Sequence, residues 1–92
     1  MSTLRDELLT LARDNGWEEQ SGTAGMFYNL ALHRPVGDQR EWLELRFLNG
    51  KLTAVQHRHP VYCKPRNITQ RKVDHVHVLL RARRLVYSEE MS

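Results

Sequence analysis

The sequence predicts an α+β domain: a helix, a three- to four-stranded antiparallel meander, then a helix, with both helices on one face of the sheet. Three observations carry that prediction. Asn49-Gly50 separates two alternating runs, residues 41–48 and 51–59; two residues that tolerate positive φ between such runs mark a hairpin. Leu4, Leu8 and Leu11 recur at helical spacing with Ala12 beside them, as an amphipathic helix requires. Ile68, Val73, Val76, Leu79, Leu80, Val86 and Tyr87 do the same toward the other end. Two such helices against one side of a meander bury everything the pattern asks to have buried.

The first helix is expected over residues 3–14. Ser2 or Thr3 can cap it, Asp6 and Glu7 suit its first turn, and Asn15-Gly16 ends it. Trp17 can then fold back on the last turn, and a short strand is open to residues 17–20. Ser21-Gly22-Thr23-Ala24-Gly25 reads as a turn or loop. Residues 26–34 alternate as a strand, and Pro35 is expected to stop its pairing. With Asn49 and Gly50 as the loop residues, Leu48 faces Lys51, Phe47 faces Leu52 and Leu45 faces Ala54. Leu43, Leu45, Phe47, Leu52 and Ala54 then share the buried face. Trp42, Glu44, Arg46, Thr53, Val55 and His57 share the wetter one. Pro60 ends the hairpin, and residues 61–67 form a basic connection. Residues 69–87 fit either a helix capped by Asn67 or Thr69 or a strand, and their length favours the helix. Residues 88–92 form a short acidic tail that is expected to fray.

All 92 residues fit one domain. No apolar run approaches the roughly 20 residues that span a bilayer. The first residues lack the basic-then-apolar order of a signal peptide. Cys63 is the single cysteine, so no internal disulfide can form. The expectation is a cytoplasmic protein without a membrane partner, or one delivered into a cytosol by a virus or mobile element. Residues 1–50 hold five basic and eight acidic side chains, whereas residues 51–92 hold nine basic and three acidic ones. The basic surplus after the turn points to nucleic acid or to an acidic protein surface.

Several stretches resemble known small domains. Leu8-Leu9 before Asn15-Gly16-Trp17 is similar to the end of the first helix of the HicA family of RNA-cleaving toxins. Gln20-Ser21-Gly22-Thr23-Ala24 sits where that family has a Gly-Ser-His element, and His59-Pro60 resembles its His-Pro at the end of the sheet. The element order is also that of double-stranded-RNA-binding domains, whose lysine-rich helix entry is matched loosely by Thr69-Gln70-Arg71-Lys72. The position matching the family's catalytic histidine is Ala24. The resemblance therefore implies the architecture and an RNA preference, not the cleavage.

Arg58, Lys64, Arg66, Arg71, Lys72, Arg81 and Arg84 are the expected nucleic-acid-binding set, with Trp42 and Tyr62 as stacking surfaces. Arg71 and Lys72 at a helix start would sit where free amides and the dipole favour a phosphate. Their bland alternative is solvated surface charge. No catalytic residue is assigned: Cys63 beside His59 and Lys64 has no orienting partner or oxyanion element, and no phosphate-binding glycine loop or nucleophile elbow is present. No cofactor or metal is assigned either. His57, His59, Cys63 and His75 carry zinc-type donors, but their spacing matches no established pattern, and on a helix only one of His75 and His77 could join. The expected function is a non-enzymatic accessory or regulatory protein that binds nucleic acid, RNA ahead of DNA, through its basic C-terminal half. The alternative is a phage- or plasmid-type interaction module or inhibitor for an acidic partner. An unpaired edge at residues 26–34 would then serve strand addition or a homodimer.

Overall fold

A computed structural model of the chain describes residues 3–22 and 26–82. The expected helix is α1, Leu4–Asp14. Thr3 and Asp6 close a capping box, each side chain meeting the other's backbone N–H, so two of the helix's orphan donors are satisfied. Gly16, at φ +85°, lets the chain reverse, and the Trp17 amide donates to the Ala12 carbonyl. Leu8, Leu9 and Ala12 are buried, and Leu4 and Leu11 pack at their margin. Leu9, absent from the expected stripe, is thus part of the core.

Five strands follow: β1 (Glu18–Glu19), β2 (Leu30–Val36), β3 (Gln39–Leu48), β4 (Lys51–Arg58) and β5 (Arg66–Ile68), ahead of α2 (Lys72–Arg81). They pair in sequence order as an antiparallel meander. Both helices lie on one face, where their leucines join Leu30, Leu32, Leu43, Leu45, Phe47, Val55 and Ile68 in a single core. Each fully buried leucine contributes about 1.5–3 kcal/mol. Among the described residues no helix is long and apolar enough to cross a membrane.

Four details differ from expectation. First, the hairpin turns at Asn49-Gly50, but its register shifts after Phe47↔Leu52: Arg46 pairs with Ala54 and Leu45 with Val55. Thr53 is the extra residue of a bulge, and its hydroxyl donates to the Arg46 carbonyl at 3.2 Å. The bulge reverses the alternation, so Val55 and His57 face the core and Ala54 faces out. Second, residues 26–29 are bends outside β2. The Asn29 side chain there bonds both the N–H and the carbonyl of Phe47, at 2.9 and 2.8 Å, taking over what a ladder would supply. Third, Pro35 pairs with Arg40 within β2 and β3. A proline is tolerated beside an open edge, and β1 reaches only Leu32 and His33. The sheet therefore ends on the short β1 and β5, and the edge expected at residues 26–34 is covered by β1 at Leu32 and His33. Fourth, Asn67 lies in β5, inside the stretch expected to be a connection. The N-cap of α2 is Arg71, left-handed at φ 48°, with no side-chain cap. The expected continuation of α2 to residue 87, Arg84 and the tail at 88–92 lie outside the described residues.

Candidate functional site

The end of the sheet away from the Asn49-Gly50 hairpin is built on a buried ion network. Glu41, Leu43 and Leu45 share the core face of β3, so the Glu41 carboxylate is carried inward. It accepts from Arg34 Nε at 2.8 Å and meets His57 Nε2 at 2.5 Å. Burial alone would raise the Glu41 pKa, but the hydrogen bonds and charges of His57 and Arg34 outweigh it and hold the carboxyl below its ordinary value. Trp17 closes the network from the helix side: Arg34 lies 4.4 Å from its ring centroid, and its indole N–H donates to the Leu80 carbonyl at 3.1 Å. One side chain therefore ties both helices to the charged end of the sheet.

Outside this network, residues 59–65 fold back between β4 and β5. Arg58, His59, Tyr62, Cys63, Lys64 and Pro65 line a hollow of about 230 Å³. Tyr62 is its wall: the ring packs edge-on against His57 and His59, at 6.5 and 6.1 Å between centroids, and Arg66 lies 5.4 Å over it. The Val61 amide donates to His59 Nδ1 at 3.2 Å, so neutral His59 carries its proton on Nε2. Partial burial lowers the His59 pKa, as do His57 and Arg34, while Glu41 works the other way. His59 is thus neutral near pH 7, with its Nδ1 lone pair taken by Val61 and its Nε2–H left as a donor, beside the cations of Arg58 and Lys64.

The expected basic set is divided in space. Arg58, Lys64 and Arg66 gather at this end. Arg71 and Lys72 line a separate groove with Leu52, Val73 and Asp74, about 20 Å away along β4. Arg81 is the exposed last residue of α2. Trp42 is half-buried on the face opposite the helices, where it meets His33 at 4.8 Å between ring centroids and pairs with Arg58 across the strands. Tyr62 is a packed wall more than a free stacking surface.

The zinc-type donors do not converge. His57 is fully buried against Glu41, and His75 and His77 diverge on α2. Among the described residues, no group of three or more His, Cys, Asp or Glu side chains is placed to hold a metal ion. Sequence reasoning passed over Glu41 and Arg34, although the parity of Glu41 with Leu43 and Leu45 marks it as inward. It also passed over His33, Phe27 and Arg46, which only pairing and bends bring to one face. No protein-family model, curated protein or solved structure matches the chain.

Proposed function

We propose that the chain is a small non-enzymatic nucleic-acid-binding protein that acts in the cytoplasm, with RNA preferred over DNA. The observation that carries this reading is the clustering of Arg58 and Lys64 in one hollow, with Arg66 beside it on Tyr62. Adjacent cations around a shallow recess attract successive phosphates, and His59 adds a neutral donor. Arg71 and Lys72, at the far end of β4, contact only ligands long enough to reach both ends. The RNA preference is an analogy from the helix–meander–helix order, which resembles that of the HicA family of RNA-cleaving toxins, and it carries no preference between single and double strands.

The test is a salt titration of binding to DNA and RNA by fluorescence anisotropy. Log affinity is expected to fall linearly with log salt. Replacing both Arg58 and Lys64 with Ala is expected to reduce the slope by about 1.4 for a single strand, about 0.7 for each phosphate that is no longer neutralised. An unchanged slope refutes the assignment of phosphate contacts to the hollow. The second reading, an interaction module for an acidic protein, is favoured by the exposed apolar side chains of Met26, Val61 and Leu48. Weak binding to every nucleic acid at about 0.1 M salt, where free surface charges are screened, would make it the first.

A further inference from the structure

We infer that the open face of the sheet is a base-stacking platform and that the ligand it takes is a single strand. This rests on the nucleic-acid reading and adds the form of the ligand. The helices cover one face of the sheet, and the other carries two aromatic centres, each beside a cation. Near the hairpin, the Arg46 guanidinium lies 4.3 Å from the ring centroid of Phe27, a side chain left 58% exposed. Farther along, Trp42 packs on His33, and Arg58 is its direct cross-strand partner. Arg46 and Trp42 are four residues apart on β3, which separates the centres by about 13 Å.

Arg58 belongs to both regions, since it faces Trp42 and also lines the hollow with Lys64. Rings and cations thus alternate from Phe27 to Lys64. That order suits a strand with splayed bases, whose planes meet the rings while its phosphates meet the cations. A duplex keeps its base planes stacked inside and offers only phosphates and groove edges. Glu44 lies between the centres with its carboxylate 2.8 Å from Arg58 Nε, so a phosphate that meets Arg58 exchanges for that partly exposed ion pair.

Trp17 is 2% exposed, so quenching of tryptophan emission by a ligand reports Trp42. Oligo(U) or oligo(dT) added to the full chain is expected to quench the emission, and a duplex of equal length is not. Trp42→Leu is expected to weaken single-strand binding about tenfold without changing the salt slope, because no phosphate contact is removed. Circular dichroism checks its fold. Phe27→Leu, at an exposed ring, repeats the test without disturbing packing and is expected to cost severalfold. Equal affinity and quenching by duplex, or single-strand binding untouched by both substitutions, would overturn the platform and leave polyanion binding standing. Failure of both forms to bind would overturn both the platform and the nucleic-acid reading.

Discussion

The two faces of this sheet are made by the same three long strands and could hardly differ more. On the covered face, Leu30, Leu32, Leu43, Leu45 and Val55 are buried under two helices. The polar groups admitted there close on one another, the Glu41 carboxylate with both Arg34 and His57. On the open face, Trp42, His33, Arg46 and Glu44 are held by pairwise contacts at the border of solvent. A charge under the helices must be compensated or it unfolds the domain, whereas a charge on the open face can be exchanged for one on a ligand. Stability is therefore concentrated on one side of the strands, and the residues proposed for binding are on or around the other.

The largest expected effect comes from shifting the β4 residues that the bulge turns inward. Inserting one Ala between Ala54 and Val55 puts Val55 and His57 outward and strands Glu41, so the insertion variant is expected to lose its cooperative thermal transition by circular dichroism. Deleting Thr53 keeps Arg46 opposite Ala54 and Leu45 opposite Val55 and is expected to keep the transition; an insertion variant that melts like the wild type would show that the inward placement of Val55 and His57 does not hold the fold. Next is Glu41→Ala, which leaves Arg34 and His57 buried without their shared carboxylate. The expected cost is about 3–5 kcal/mol in denaturant unfolding, and Glu41→Gln should cost less because it can still hydrogen-bond. A loss below about 1 kcal/mol for Glu41→Ala would mean that solvent reaches the pair.

Acid should act on the hollow first and on the covered face second. The Glu41 pKa is depressed from 4.5, so its contribution is complete above that value and is lost as pH falls through the folded-state pKa beneath it. The His59 pKa is depressed from 6.5, so below 6.5 the unfolded chain binds the proton more readily and stability declines from there down to the folded pKa. Both signs agree: midpoint denaturant concentration should fall in two steps on acidification, and the upper one should vanish in His59→Gln. The smallest effect is expected at the separate groove. Arg71→Ala with Lys72→Ala should leave binding of a short oligonucleotide nearly unchanged and flatten the salt slope only for a long one. An equal loss for both lengths would place the phosphate contacts at the start of α2 instead.

Much of the covered face is legible from the residues. The leucine stripe of α1, its cap at Ser2 or Thr3 with Asp6 in the first turn, the Asn49-Gly50 turn and the apolar parity of Leu43, Leu45 and Phe47 each lie within a few residues of sequence, and their spacing is enough to mark them. The charged end is not legible in this way. His57 alternates with Val55, and counting from the turn places both outward; one inserted residue, Thr53, turns them in. Strand β5 is three residues long, too short to show a period, and it exists because β4 offers it a partner. Along the chain the expected basic set is a single series, and only folding divides it between Arg58, Lys64 and Arg66 at one end and Arg71 and Lys72 at the other.

The sequence by itself determined the α+β class, the order of the long elements, a first helix capped at Ser2 or Thr3 and the hairpin turn. All of these are made by groups that meet within about four residues, where backbone geometry and hydrogen-bonding chemistry leave few alternatives. Tertiary structure alone decided the bulge at Thr53, the burial of Glu41 against His57, the pairing of β5 and the meeting of Trp42 with Arg58. Those depend on which side chains fill the space beneath α1 and α2, a requirement set by the whole core and carried by no single stretch of the chain.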